Sequence, residues 1–402
     1  MTAAAFHDRP ICTVAVGFLL GTALVRCVAP PNSYAVVAVL LLVCVAARWT
    51  SRRRISLLLL AMALSLALIS LRYPADGVFP VTGRVFEPTG GLGVRLEMTR
   101  DAIGERIDVL FPQNGGLAKG MLLGEKGDIA ADLLDQFKST GIMHILAISG
   151  LHVSILASAF SLLFRRNAWV RFAFVLLFLL AYAALTAFSP SVVRASLMLL
   201  CYTLAFPLLR RPDTANALAL SFIVILLCNP LALFYTGFQL SYCAVYGLIL
   251  LGAPIAHALR RLGGAASSAI GSSVAVTVAT LPAMAATFGR VQLLSVLTNL
   301  LVLPFVPFFL VPALLGTALS YLSFPLGNAI CAVARVSLDI ITAVASVGGK
   351  LDVTVSAPNG LAYLLFLAAL PFLSPLCLLE PYKKLRNACA LLCAALTAWV
   401  IW

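Results

Sequence analysis

The sequence predicts an all-α, polytopic integral membrane protein, and three observations lead to this fold class. Hydrophobic residues make up 62% of the 402 residues and charged residues only 11%, whereas soluble domains are about half apolar and about a quarter charged. The apolar residues fall in long runs, many of them near the roughly 20 residues that cross a bilayer as a helix. Short basic clusters separate several of these runs. These features exclude a soluble enzyme, a disordered chain, a disulfide-stapled secreted domain and a membrane β-barrel.

An N-terminal membrane region of three helices is predicted over residues 1–72. Its apolar runs are 11–29, 34–47 and 55–71. Short loops rich in arginine stay in the cytoplasm, so the cluster at 48–54 places the N-terminus inside and the end of the third helix outside. Such basic loops also explain most of the net charge of +13. The first run resembles a signal peptide as well, but the two runs that follow favour a retained helix.

Residues 73–118 are predicted to form a small extracytoplasmic β-rich segment. Short runs at 78–86, 94–98 and 107–111 have the apolar character of strands, and turn-forming residues separate them. Residues 120–140 then carry apolar residues at helical spacing with charges between them. This pattern is typical of a helix that lies on a surface.

Ten further membrane helices are predicted after residue 141, which gives about thirteen in the whole chain. They occupy 142–164, 172–188, 191–209, 215–228, 238–251, 267–288, 293–321, 328–347, 361–379 and 388–402. Pro304, Pro307 and Pro312 break the run at 293–321, and broken helices can line a cavity. We assign residues 119–322 to one membrane domain, which includes the surface helix, and residues 323–402 to C-terminal membrane helices.

Seven polar residues in or beside these apolar runs are predicted to line a polar passage. They are His144, Ser149, His152, Arg194, Gln239, Ser241 and Asn299. On one continuous helix, residues 144, 148 and 152 share a face, with Ser149 one turn before His152. Polar groups within a bilayer usually face the bundle interior or a water path. The alternative is that each makes an ordinary interhelical hydrogen bond, worth roughly 1 kcal/mol or less.

The sequence predicts no enzyme and no catalytic, cofactor-binding or metal-binding residue. The two histidines at 144 and 152 lack a suitable third ligand for zinc nearby. An intramembrane serine protease would need a glycine in place of Ala147 and a histidine on another membrane helix. Phosphate-cradling motifs of nucleotide hydrolases are missing as well.

The motif MHILAISGLHV at 143–153 resembles the signature of the ComEC competence family, the membrane channels for DNA uptake in natural transformation. Other matches follow in the family's order: LLGE at 122–125, SVVRASLM at 191–198, NP at 229–230, GFQLS at 237–241, and Asn299 before a proline-rich helix. The resemblance covers roughly residues 120–310. It implies that single-stranded DNA crosses the cytoplasmic membrane through this multi-pass bundle.

The same resemblance implies partner proteins and shows where this sequence departs from the family pattern. Family members carry an extracytoplasmic OB-like domain, for which 73–118 is short, and many end in a metallo-β-lactamase-like nuclease domain, whose HxHxDH motif this sequence lacks. A DNA receptor, a separate nuclease and a cytoplasmic helicase or translocase are therefore expected partners, and a homo-oligomer is a further possibility. Two alternatives stay open: a transporter or exporter of a smaller solute, and an inactive, reduced relative of ComEC.

Overall fold

The computed structural model describes residues 91–350, apart from 147, 163–166, 230–231, 234, 289 and 293. It also describes residues 354–356 and a few helical positions between 11 and 64. The apolar runs predicted at 34–47, 361–379 and 388–402 and the strand predicted at 78–86 lie outside the described residues. Those predicted at 11–29 and 55–71 lie almost wholly outside them.

The described chain is almost entirely helical, as the sequence predicts. The α-helices are α1 Gly91–Leu110, α2 Gly115–Leu123, α3 Ala131–Ser139, α4 Met143–Leu146, α5 Gly150–Ser161, α6 Ala168–Leu185, α7 Pro190–Ala205, α8 Thr214–Cys228, α9 Thr236–Gly247, α10 Ala253–Ala258, α11 Gly264–Phe288, α12 Ser295–Val302, α13 Val306–Ser320 and α14 Phe324–Gly349. A π-helical turn, Leu248–Gly252, joins α9 to α10, and a short 3₁₀ turn, Arg260–Leu262, follows. Strands β1 (Arg290–Gln292) and β2 (Thr354–Ser356) pair antiparallel, with Val291 opposite Val355.

Four helices in the described part of the chain are long and apolar enough to cross a membrane. They are Ala168–Leu185, Thr236–Ala258, Gly264–Leu281 and Phe324–Gly349. A fifth candidate is the pair α12 and α13, which are bent by 48° at a short break. The predicted proline break in 293–321 is thereby confirmed, although Pro312 lies within α13 without ending it. The described residues support four or five spans, so the predicted total of thirteen stays a prediction.

The predicted strands at 94–98 and 107–111 are wrong, because both segments belong to the single helix α1. The turn expected at 101–104 is helical as well. Buried positions in this segment follow helical rather than alternating spacing: Gly104, Ile107 and Leu110 are buried three residues apart. The short apolar runs gave a strand signal that this spacing overrides, so the described part of 73–118 is not β-rich.

The single surface helix predicted at 120–140 is also wrong, because two helices with a loop between them occupy this stretch. Gly124 ends α2 in a left-handed conformation with φ of 79°, and its N–H donates to the carbonyls of Lys119 and Gly120. Glycine adopts this conformation without steric cost. The second helix, α3, keeps the expected amphipathic pattern, with Phe137 buried and Asp132 and Asp135 exposed.

The chain divides into two compact units. One contains residues 1–87 and 187–239, and the other contains residues 88–186 and 240–402. In the first unit α7 packs against α8, and the Tyr202 hydroxyl hydrogen-bonds with that of Thr214. In the second unit α13 and α14 form a closely packed hairpin. A Cβ atom at Gly316 would lie 2.5 Å from Cys331 Sγ, so the two helices approach through small residues, as membrane helices do.

Candidate functional site

The helix predicted to carry His144, Ile148 and His152 on one face is interrupted in the structure. Helix α4 ends at Leu146, and α5 begins at Gly150. Ser149 is the N-cap of α5: the N–H of His152 donates to Ser149 Oγ at 3.4 Å, and the N–H of Ser149 donates to His152 Nδ1 at 3.3 Å. This reciprocal capping box satisfies two backbone donors at the helix start. The continuous histidine stripe was therefore a wrong expectation, and Ser149 and His152 hold a helix end.

His152 is 1% exposed, and its bonding fixes its tautomer. Because Nδ1 accepts the Ser149 N–H, the proton of the neutral ring lies on Nε2. His144 is exposed and lies in the first turn of α4, where its Nδ1 is 3.2 Å from the carbonyl oxygen of Gly141. The two histidines thus have different surroundings and different partners.

The turn before His144 packs directly on α12, the helix that carries Asn299. Thr298 Oγ1 donates to the carbonyl oxygen of Thr140 at 2.8 Å. Gly141 has φ of 73°, and a Cβ atom there would lie 2.6 Å from Ser295 Cβ. Only a residue without a side chain fits this contact. The structure therefore joins the segment of His144 to the segment of Asn299 through Thr140 and Thr298.

Asn299 differs from the other predicted site residues because its side-chain oxygen has no protein partner within the described residues. Within the described residues its Oδ1 atom is buried and accepts no hydrogen bond. Asn299 also lies one turn before the bend between α12 and α13, where Pro304 has no N–H to donate to the carbonyl of Leu300. A buried polar atom without a hydrogen-bond partner calls for a specific explanation, and a position beside a water-filled path is one. Asn299 is the predicted site residue whose surroundings most favour a polar passage.

Arg194, Gln239 and Ser241 are placed in separate surroundings. Arg194 is 5% exposed within α7, and its Nη1 donates to Met198 Sδ at 3.6 Å. Gln239, near the start of α9, donates from Nε2 to the carbonyl of Leu233 at 2.9 Å. Both belong to the first unit. Ser241 is half-buried and belongs to the second, as do the histidines and Asn299. Their convergence on one passage stays a prediction.

Sequence reasoning missed a polar stripe along α14. We define this stripe by residues at spacings of seven, four, three and four: Asn328, Arg335, Asp339, Thr342 and Ser346. These spacings place all five on one side of a helix. Arg335 Nη1 donates to the carbonyl of Leu110 at 2.8 Å and to Asn328 Oδ1 at 2.7 Å. The signal was present in the sequence as polar residues within the apolar run 328–347.

The stripe on α14 also contacts the short connection between α1 and α2. Asn114 Nδ2 donates to Asp339 Oδ1 at 3.1 Å. Asp339 is exposed, and beyond this contact Thr342 and Ser346 are half-buried. A helix of membrane length with a partly exposed polar stripe needs water or polar protein on that side. The stripe is therefore a second candidate lining element.

Buried Lys119 joins α1 to the loop after α2. Its exposure is 7%, and its Nζ forms ion pairs with Asp108 at 2.8 Å and with Asp128. Burial alone lowers the pKa of Lys119, but the hydrogen bonds and charges of the two aspartates outweigh it and raise the pKa above 10.5. Lys119 is therefore charged at neutral pH. Its role is to hold α1, α2 and the loop at 124–130 together.

Arg106 ties α1 to the connection between α13 and α14. Its Nε donates to Ser320 Oγ at 3.0 Å and its Nη2 to the Ser320 carbonyl at 2.5 Å. The guanidinium also lies 5.2 Å and 5.3 Å from the ring centroids of Tyr321 and Phe324. No sequence motif predicted this arrangement, because its partners lie more than 200 residues away.

Comparison with known proteins gives these segments a family. Residues 121–399 match the family model described as Competence protein. ComE operon protein 3 of Bacillus subtilis (strain 168) is 34% identical over 237 residues, which are 58% of this chain and 30% of that protein. Competence protein ComA of Neisseria gonorrhoeae is 31% identical over 276 residues, 65% of this chain and 38% of that protein. No solved structure matches the chain significantly.

A third relative bears no functional name. The uncharacterized protein YcaI of Escherichia coli (strain K12) is 26% identical over 276 residues, 64% of this chain and 36% of that protein. The matched regions are about a third of the length of these relatives. The family match covers well over half of the chain and includes α3 to α14, and it confirms the predicted resemblance to the ComEC proteins. The chain therefore belongs to the Competence protein family.

Proposed function

We propose that this chain forms part of a passage that carries single-stranded DNA across the cytoplasmic membrane during natural transformation. The observation that carries the proposal is the family match over residues 121–399, together with two relatives whose names place them in competence. The apolar helices fit a membrane protein. Single-stranded DNA, a DNA receptor, a nuclease and a cytoplasmic translocase are the partners that this function requires.

Passage of DNA makes physical demands on the bundle. A strand with one negative charge per nucleotide needs a hydrated path with polar lining and some positive potential. Asn299 supports this reading, since its buried Oδ1 has no partner in the described chain. The α14 stripe, with exposed Asp339 and half-buried Thr342 and Ser346, supplies polar groups along a helix of membrane length. We propose that both face the path.

The other predicted site residues take two roles in this proposal. His144, Arg194, Gln239 and Ser241 are lining residues, and Arg194 supplies positive charge. Ser149 and His152 are positioning residues, since their capping box fixes the start of α5. Within the second unit, Lys119 ties α2 to α1 and Arg106 ties α1 to the end of α13.

The experiment is a transformation assay in a strain from which the gene is deleted. Labelled double-stranded DNA is added, and surface-bound label is measured apart from label protected from external nuclease. We expect the deletion to keep surface binding and lose protected label, and the full chain expressed in trans to restore it. Protected label at the wild-type level in the deletion strain would overturn the proposal. A solute transporter would give that second result.

A further inference from the structure

Three aromatic rings form a continuous stack between α5 and α6. The rings of Phe160 and Phe178 have centroids 4.9 Å apart and planes inclined by 22°. The rings of Phe178 and Tyr182 have centroids 5.8 Å apart and planes inclined by only 9°. We call these three residues the aromatic ladder. Near-parallel rings at these distances form offset stacks, which are favourable beyond the area that they bury.

The ladder is on the protein-facing side of α6. Val175, Leu179 and Tyr182 on that side are buried, whereas Leu177 and Leu180 on the opposite side are 64% and 56% exposed. Phe178 is half-buried between them. The side with Leu177 and Leu180 is suited to lipid, so the ladder is turned away from the surface that a bilayer would cover.

On α5 the ladder continues the face that begins with His152. Residues 152, 156 and 160 are four apart and lie one above another along the helix. His152 and Leu156 are buried, whereas the ring of Phe160 at the end of this face is half-buried. The capping box that fixes the start of α5 therefore also sets the position of Phe160.

The far end of the ladder is fixed by a hydrogen bond. The Tyr182 hydroxyl donates to the carbonyl oxygen of Leu122 at 3.1 Å, and Tyr182 is 2% exposed. Tyr182 is therefore held in place, Phe178 rests on it, and half-buried Phe160 ends the stack on α5. A ring whose position is set in advance loses little freedom when a ligand stacks on it.

We propose that Phe160, supported by Phe178 and Tyr182, is a stacking contact for unpaired bases of the transported strand. The inference rests on the proposed function and adds the chemical group that the ladder recognises. Every base has a π-face, so a fixed aromatic ring binds single strands without sequence preference. Bases in duplex DNA are already paired and stacked on each other, which makes such a contact selective for single strands.

The test measures binding of two fluorescent oligonucleotides of equal length to the purified full chain in lipid nanodiscs. One is oligothymidylate, and the other has abasic sites throughout, so that both present the same phosphates. We expect the wild-type chain to bind oligothymidylate more tightly. Phe160→Leu should weaken that binding about tenfold and leave abasic binding unchanged. The unchanged abasic binding also reports that the variant is folded.

Two further variants complete the test. Phe160→Tyr keeps an aromatic face and should bind oligothymidylate like the wild type. Leu177→Ala, on the exposed side of α6, should also leave binding unchanged. Equal binding of oligothymidylate by Phe160→Leu and the wild type would overturn the stacking contact. If that happened while the deletion strain still lost DNA entry, the proposed function would stand and only this inference would fail.

Discussion

Ser149 and His152 cap each other across the first turn of α5. Each backbone N–H donates to the other residue's side chain, at 3.3 Å and 3.4 Å. This relationship explains why two polar residues lie close together at the start of an apolar helix. It also means that loss of function on substitution of either residue need not report contact with a substrate.

The capping box predicts a clear difference between two substitutions of His152. His152→Ala removes the side-chain acceptor for the Ser149 N–H, and we expect about 1 kcal/mol lower stability together with lower DNA entry. Glutamine at this position of a capping box also accepts such a bond. His152→Gln should therefore keep the thermal unfolding temperature and most of the entry. Full loss of entry in a stable His152→Gln protein would show that the imidazole itself is needed.

Substitution of Asn299 should affect DNA entry without lowering thermal stability. Asn299→Leu removes a buried oxygen that lacks a hydrogen bond, so we expect unchanged or slightly higher thermal stability. DNA entry should fall strongly, because a polar group of the passage is lost. The matched control is the neighbouring Thr298→Val, which removes the hydrogen bond to Thr140 and should lower stability by about 1 kcal/mol. An Asn299→Leu strain with normal entry would contradict the lining assignment.

Arg106 should be irreplaceable by lysine. Lysine keeps the charge but cannot reproduce the forked bonds to Ser320 and the contacts with the two aromatic rings. We expect Arg106→Lys to lower stability by about 1–3 kcal/mol and to expose the connection between α13 and α14 to protease. The measurement is limited proteolysis of the purified protein. Arg95→Lys, at an exposed position of the same helix, should have no effect.

Lys119→Met should destabilise the packing of α1, α2 and the loop at 124–130. The change leaves Asp108 and Asp128 without their shared cation, and we expect a loss of about 1–2 kcal/mol, limited by the exposure of both aspartates. Lys138→Met breaks only an exposed pair with Asp135 and should cost about 0.5 kcal/mol or less. Thermal unfolding in detergent compares the two. Equal effects would contradict the special role of Lys119.

The same variant carries a pH prediction. The pKa of Lys119 is raised above 10.5 by its aspartates, so its contribution to stability is complete below the unfolded-state pKa. It is lost only as the pH rises through the higher folded-state value. The difference in stability between wild type and Lys119→Met should therefore be the same at pH 7 and at pH 9. A difference that shrinks between these two values would mean that Lys119 loses its proton much earlier.

The sequence predicted the helical elements of the described region well, because long apolar runs are a strong signal. The proline break after Asn299 was predictable because proline has no N–H to donate to the backbone hydrogen bonds of a helix. The prediction of strands at 94–98 and 107–111 was wrong because a short apolar run is compatible with either a helix or a strand. The face shared by residues 144 and 152 failed because it assumed one uninterrupted helix.

Long-range contacts were beyond any sequence pattern. The bonds of Arg106 to Ser320 and of Arg335 to Leu110 join residues more than 200 positions apart. The aromatic ladder likewise depends on how α5 packs against α6, because Phe160 lies in one apolar run and Phe178 and Tyr182 lie in the next. Asn299 was singled out by its polarity alone, and only the packing around it shows that its oxygen lacks a partner.

The central claim is that single-stranded DNA passes the polar groups of this bundle, and photo-crosslinking during uptake tests it most directly. A photoreactive amino acid is placed at Thr342 of the α14 stripe and, as a control, at the exposed apolar position Leu177. Labelled DNA is then added to competent cells. We expect a nuclease-resistant crosslink at 342 and none at 177. DNA entry at the normal rate with no crosslink at 342 would contradict the account.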